Sequence, residues 1–284
     1  MSVAEKWEML TSWFKQFKSV IVAFSGGVDS SLLALAAKKS LNDNAIAVTA
    51  KSPTFPLREL DEATRIASLI NIKHVIIETD EFRDPEFTRN PPNRCYYCKK
   101  NLLSKLKDLS SKLNVEAIVT GTNADELGEY RPGHAAEIEE EARTPYVELG
   151  FTKKDIREVA KHVGLPNWDK PSMACLASRI PYGLEITEDR LRRIDEAERI
   201  VRDTVNVRQV RVRDHNGIAR IEVYPEERSK FFNTDLMDKI AESLKSIGFT
   251  YVTLDLVGYS PGSMNKILKH REKPIASINH KCFT

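Results

Sequence analysis

Two textures of hydrophobic and polar positions divide the chain. Val3, Trp7, Leu10, Phe14 and Phe17 fall at helical spacing and predict an amphipathic helix over 2–17 whose apolar stripe packs into a core. Short apolar runs follow at 19–24 (SVIVAF), 45–50 (AIAVTA), 73–78 (KHVIIE) and 115–120 (VEAIVT), alternating with helix-like stretches near 30–40, 57–70, 99–113 and 152–163. Strands that are apolar throughout are buried on both faces, which requires helices above and below them. The first part of the chain is therefore expected to be an α/β domain with a doubly wound parallel sheet.

After Pro181 the pattern changes. Residues 187–203 read as a helix with Thr187 as its N-cap, and VRQVRVRDHNGIARIEVYP reads as two alternating strands joined around Asn216-Gly217, a hairpin signal. A helix near 233–247 and a strand near 250–257 complete a smaller α+β domain. The expected organisation is 1–180, 181–265 and a basic tail, 266–284, without periodicity.

Composition narrows the class. The 284 residues suffice for two domains, and 41% hydrophobic with 30% charged residues fits a globular protein. No apolar run reaches membrane-spanning length, and Glu5, Lys6 and Glu8 interrupt the N-terminus, so neither a membrane span nor a secretory signal is expected. These features imply a cytoplasmic protein. A net charge of +2 does not by itself call for a polyanionic partner, and nucleic acid is neither required nor excluded.

The first chemistry-bearing motif is Ser25-Gly26-Gly27-Val28-Asp29-Ser30, placed between an apolar strand and a helix rich in Leu and Ala. Two glycines let the backbone approach a ligand closely, and the first-turn amides with the helix dipole attract phosphate oxygens. Ser25 and Ser30 add hydroxyl donors. Asp29 would repel phosphate unless a divalent cation lies between them, so it is read as a Mg²⁺ contact and the loop as a Mg–ATP site. The lysine of the GxxxxGK[ST] loop is missing, which argues against that class of kinase or GTPase. The motif resembles that of the PP-loop, or N-type ATP pyrophosphatases. That resemblance implies cleavage between the α and β phosphates, adenylylation of a substrate, loss of pyrophosphate and displacement of AMP by a nucleophile.

Four cysteines stand at 95, 98, 175 and 282. Cys95 and Cys98 form a CxxC without a second close Cys or His pair, which gives a closed four-ligand zinc site little support. A redox role is also disfavoured, because with a helix beginning near 99 Cys95 would not stand at a helix start. Two close cysteines and the distant Cys175 suit a [4Fe–4S] cluster that leaves one iron open to carry sulfide. Cys282 is read as a bystander in the tail.

The segments NPPNRCYYCKKNL (90–102), GTNADELGEYRPG (121–133), PSMACLASRIPYG (171–183), VRVRDHNGIARIEV (210–223) and VTLDLVGYSPGSMN (252–265) together resemble the LarE family of sulfur transferases over about residues 5–265. Members of that family act in making the nickel-pincer nucleotide cofactor of lactate racemase, adenylylating a carboxylate of pyridinium-3,5-biscarboxylic acid mononucleotide and converting it to a thiocarboxylate. The resemblance implies that Cys175 holds the position of the sulfur-bearing cysteine. One branch of the family consumes that cysteine; another uses three cysteines and a cluster, and Cys95 and Cys98 favour the second, with sulfur from Cys175 itself left open.

In the hairpin, alternation puts Val210 and Val212 on one face and Arg211 and Arg213 on the other, with Ala219, Ile221 and Val223 opposite Arg220 and Glu222. If the apolar faces are buried, three arginines and a glutamate converge on the exposed side. The arginine forks match a 5′-phosphate, and the resemblance assigns that role to Arg211 and Arg213. Glu222 joins the metal candidates. Thr122 and Arg131 are expected to contact nucleotide, with Asp125 and Glu126 open as a second metal site or a helix cap. Glu198 or Glu196 is expected near the active cysteine as an acid–base or metal group. A homo-oligomer acting on a small-molecule nucleotide is expected. The rival readings are a tRNA thiolase, which would need an RNA-binding surface, and a non-catalytic nucleotide sensor.

Overall fold

The computed structural model describes residues 1–128, 132–171, 174–260 and 262–265. They fall into two compact units: Met1–Ala177 with Tyr182–Arg192, and Ser178–Pro181 with the described residues from Arg193 on.

The first unit begins with α1 (Val3–Phe14), β1 (Val20–Ala23), α2 (Val28–Leu41), β2 (Ala45–Lys51), α3 (Leu57–Ile70) and β3 (Lys73–Glu78). It continues through α4 (Pro85–Thr88), α5 (Arg94–Leu113), β4 (Ala117–Val119), α6 (Pro132–Glu139), α7 (Pro145–Glu148) and α8 (Lys153–His162). The four strands form one parallel sheet in the order β3-β2-β1-β4. Alternate residues feed two cores. Val20, Val22, Ala45 and Ala47 pack with α1, α2, α3 and α8, while Ile21, Ile46, Val48 and Ile118 pack on Leu103 and Leu106 of α5. Helices thus cover both faces, and this is why the strands read as unbroken apolar runs. Burial of α1 follows its stripe: Trp7, Leu10 and Phe14 are buried, each side chain contributing about 2 kcal/mol.

After β3 the chain returns to the far side of β1, so strand order reverses between β1 and β4. The carboxyl ends of strands at such a reversal flank a crevice, and ligands of open α/β sheets bind there. The loop after β1 opens into it.

The second unit takes up most of α9 (Glu188–Val205) and contains β5 (Val210–Asp214), β6 (Ile218–Val223), α10 (Thr234–Ser246) and β7 (Tyr251–Leu254). β5 and β6 are antiparallel with Arg211 opposite Glu222 and Arg213 opposite Arg220, and β7 lies parallel to β6. Asn216 and Gly217 take positive φ, 55° and 94°, as a two-residue hairpin turn requires. Val210, Val212, Ala219, Ile221 and Val223 pack with α9 and α10, as the alternation predicts.

The other face of the hairpin departs from expectation. It is not solvated: Arg211, Arg213 and Glu222 are 2%, 5% and 0% exposed. Ser178 and Ser263 bond Arg213 from that side, and neither segment could be placed there by reading the hairpin alone. A second departure is the start of α5 at Arg94, which puts Cys95 in its first turn rather than ahead of a helix.

Candidate functional site

The glycine loop is a compact knot of local hydrogen bonds. Ser30 Oγ donates to Gly27 O (3.1 Å) and accepts the Ser25 N–H (3.1 Å), and Ser25 Oγ accepts the Gly27 N–H (3.3 Å). Gly26 has φ +69°, and a Cβ there would lie 2.7 Å from Ala63 Cα on α3, so only glycine fits. Asn167, buried, ties the loop from behind through Nδ2 to Gly26 O (3.0 Å) and Ser31 Oγ (2.9 Å). Gly27 is the N-cap of α2 and brings no side chain to it. The first backbone bond of the helix runs from Ser31 N–H to Gly27 O, and the amides of residues 28–30 lack helical acceptors. They form the anion site expected from the motif.

The loop borders a cavity of about 420 Å³, a volume suited to a nucleotide-sized ligand. Phe24, Val48, Phe55 and Leu102 make one part of its wall apolar, as a purine base needs, while Ser25, Asp29, Ser30, Lys99 and Thr122 supply polar groups. Asp29 Oδ2 pairs with Lys153 Nζ, the first residue of α8. Its Oδ1 is buried without a hydrogen-bond partner. A carboxylate oxygen left unsatisfied beside phosphate-binding amides is the donor a magnesium ion would take, so the expected metal fits these residues.

Thr122 lines the cavity, but its hydroxyl donates to Glu137 (2.8 Å). Glu137 is 1% exposed and also accepts from Thr120 (2.7 Å), pairs with Lys99 (2.8 Å) and meets His134 Nδ1 (3.1 Å). Burial pushes its carboxyl up, but the Lys99 charge and the hydrogen bonds outweigh this and hold it below the usual range. Asp125 accepts the Lys153 N–H (2.7 Å), so it serves as a backbone anchor for α8, and Glu126 borders the cavity. Arg131 and Cys282 lie outside the described residues. The sequence did not nominate Lys99, Glu137, Lys153 or Asn167. Of these, only Lys99, next to Cys98, had a neighbour that could have drawn notice.

The cysteines gather in the same unit. Cys95 is exposed, and Cys98 and Cys175 are half-buried. Enclosure pushes the Cys98 thiol well up, and Cys175, Glu81 and Cys95 add to this through their charges. The Cys175 charge, 77 residues away in sequence, is thus within electrostatic reach of Cys98. Among the described residues no group of three or more His, Cys, Asp or Glu side chains converges on a single-ion position. Lys99 links the two features, since it lines the cavity and directly follows Cys98.

The second unit holds a buried charge cluster. Arg179 grips Glu198 through Nε (2.7 Å) and Nη2 (3.0 Å), and Glu198 Oε1 also accepts the Val212 N–H (3.2 Å). Burial raises the Glu198 carboxyl, yet Arg179 and Arg211 bring it below its ordinary value. Glu198 is thus a counter-ion shared by the arginines, while Glu196 lies on the surface with Arg199 (2.5 Å). Arg213 bonds Glu222 (2.7 Å) and Ser178 O (2.9 Å), and Arg220 pairs with Glu222 (3.0 Å) and Asp255 (2.6 Å). Arg213 and Arg220 already neutralise the Glu222 carboxylate and would repel an approaching metal ion, so its contacts here are ion pairs rather than the metal contact expected of it. Arg211 stacks on Tyr259 at 5.5 Å, and burial with the adjacent Arg179 charge brings it down to about 10. Three buried arginines (179, 211, 213) against two carboxylates (198, 222) leave an excess of one positive charge, the condition for holding an anion.

A phosphate-binding glycine loop at the strand reversal of a parallel sheet, with an apolar slot for a base, defines an ATP-using enzyme of the PP-loop class. The NAD synthase family model matches residues 8–125. A pyridinium-3,5-bisthiocarboxylic acid mononucleotide synthase of Lactiplantibacillus plantarum is 37% identical over 268 residues, 94% of this chain and 96% of that protein. An uncharacterized Synechocystis protein, slr1717, is 41% identical over 93% of this chain and 98% of its own length. A tRNA-specific 2-thiouridylase of Heliobacterium modesticaldum is more distant, 29% identical over 54% of this chain and 50% of that protein. The chain belongs to the LarE family of ATP-dependent sulfur transferases. No described helix is long and apolar enough to cross a membrane.

Proposed function

We propose that the enzyme adenylylates a carboxylate of pyridinium-3,5-biscarboxylic acid mononucleotide and converts it to a thiocarboxylate, a step in nickel-pincer nucleotide cofactor synthesis. The observation that carries this reading is the phosphate-binding loop on a nucleotide-sized cavity whose wall includes Lys99, the residue directly after Cys98. A sulfur source beside a nucleotide cavity has a use if an activated acyl group forms there.

In this reading a substrate carboxylate oxygen attacks the α-phosphorus of ATP, and the α–β bridging bond breaks to release pyrophosphate. The backbone amides of residues 28–30, with Ser25, Gly26, Gly27 and Ser30, hold the phosphates in line. Asp29 holds Mg²⁺, which supplies charge neutralisation for the departing pyrophosphate. A sulfur nucleophile then attacks the acyl carbon, the acyl C–O bond breaks and AMP leaves with that oxygen. Either the Cys175 thiolate is that nucleophile, and its Cβ–S bond then breaks by loss of the α-proton to leave the thiocarboxylate and dehydroalanine, or Cys95, Cys98 and Cys175 would hold a [4Fe–4S] cluster that would supply sulfide and spare the cysteines. Arg211 and Arg213 take the substrate's 5′-phosphate, and Glu198 and Glu222 position them. Thr122 and Arg131 complete the nucleotide contacts. A cytoplasmic homo-oligomer belongs to the same reading.

Pyrophosphate release from ATP tests the reading. It should require the biscarboxylate mononucleotide and should not respond to tRNA. Release that depends on tRNA would favour a thiolase, and release with neither would leave a nucleotide-binding protein.

A further inference from the structure

We infer that Lys153 and magnesium exchange places on Asp29: without nucleotide the Lys153 ammonium neutralises Asp29, and with Mg–ATP bound it moves onto the phosphate oxygens of the departing pyrophosphate. This rests on the reading that Asp29 takes the metal. Lys153 and Asp29 form an ion pair with side chains 29% and 26% exposed, and Asp29 lines the cavity. The lysine satisfies Oδ2 and leaves the buried Oδ1 without a partner. The pair is therefore incomplete, and a divalent ion with twice the charge completes it better than an ammonium does.

The lysine that lines the cavity is held differently. Lys99 pairs with Glu137, whose carboxylate also takes hydrogen bonds from Thr120 and Thr122 and is 1% exposed. Releasing Lys99 would break up a filled buried network, whereas releasing Lys153 breaks one ion pair at a partly open position. The backbone of Lys153 stays put: its N–H donates to Asp125 (2.7 Å), and the Thr152–Asp155 capping box fixes the first turn of α8. Only the flexible four-carbon stem moves, and a phosphate group within its reach carries the negative charge that Asp29 no longer offers.

Two binding measurements without turnover test the exchange. The first follows Mn²⁺ binding to the nucleotide-free protein by electron paramagnetic resonance; the second follows magnesium pyrophosphate binding by calorimetry. Lys153→Met removes the competing cation, so Mn²⁺ should bind about tenfold more tightly, while magnesium pyrophosphate should bind about tenfold more weakly. Lys153→Arg should keep pyrophosphate binding near wild type. Lys153→Gln provides the same comparison if Lys153→Met does not fold. Unchanged affinities for both ligands, or weaker binding of both, would overturn the exchange, because a purely structural lysine gives those results. Asp29→Asn should abolish the tight Mn²⁺ site. If that site survives in Asp29→Asn, the metal reading itself is wrong and the exchange falls with it; if the site is lost there but Lys153→Met leaves Mn²⁺ affinity unchanged, only the exchange fails.

Discussion

Arg179 and Glu198 meet in a two-pronged ion pair with side-chain exposures of 0% and 3%, and Glu198 in turn lies within the electrostatic reach of Arg211. The carboxylate is what allows several guanidiniums to sit together inside the second unit. Glu198→Gln keeps the shape and deletes the charge, leaving buried arginines uncompensated. It should cost about 3–5 kcal/mol of stability, read as a lowered urea midpoint. A shift under 1 kcal/mol would mean that the arginines are neutralised in another way.

Gly26 sits where a side chain has neither the φ nor the room. Gly26→Ala must displace the loop from Ala63, and strain of about 1–3 kcal/mol at such a position, if carried into binding, corresponds to roughly five- to 150-fold weaker ATP binding. Calorimetry with ATP checks this, and Gly150→Ala, at an open positive-φ position, serves as the comparison that should lose stability without losing nucleotide.

The cap that sets Lys153 in place has a pH signature. Burial raises the Asp155 carboxyl, but the Lys6 ammonium and the Thr152 hydroxyl and amide bring it down to about 2 from an ordinary 3.8. The folded state therefore binds this proton less readily than the unfolded chain. The stabilisation is fully present above about pH 4 and drains away as the pH falls toward 2. Asp155→Asn should lower the urea midpoint at pH 6 and make little difference at pH 2. An equal deficit at both values would assign the loss to packing.

What could be read from the sequence followed from how local each feature is. The strand, the glycines and the helix of the loop at 25–30 are consecutive, and the turn at Asn216-Gly217 needs only its own φ angles. The groups that complete these sites come from far along the chain. Lys153 lies 124 residues beyond Asp29, and Asn167 lies 141 beyond Gly26. The hairpin's alternation correctly separated Val212 from Arg213, yet it gave no sign that Ser178 and Ser263 would enclose the polar face. The start of α5 was missed because Cys95, Tyr96, Tyr97 and Cys98 carry no amphipathic period, and none of the four is buried. The ion pair of Glu198 was also illegible, since nothing in the sequence ties it to Arg179, 19 residues earlier.

The cysteines separate two sulfur routes. Cys95→Ala should abolish thiocarboxylate formation if the sulfur reaches the substrate from a cluster held by Cys95, Cys98 and Cys175, and the protein's intact mass should be unchanged after turnover. If Cys175 gives up its own sulfur, Cys95→Ala should retain activity, and the protein should lose the mass of one H₂S per turnover. Iron and sulfide content of anaerobically purified wild type and Cys95→Ala shows whether the loss of activity follows the loss of a cluster.

The most direct measurement is the mass of the product. Anaerobic enzyme is incubated with Mg–ATP and pyridinium-3,5-biscarboxylic acid mononucleotide, and the mononucleotide is weighed by mass spectrometry. Sulfur transfer to an activated carboxylate predicts replacement of one oxygen by sulfur, with AMP and pyrophosphate formed alongside. A mononucleotide of unchanged mass after AMP and pyrophosphate have appeared would contradict it.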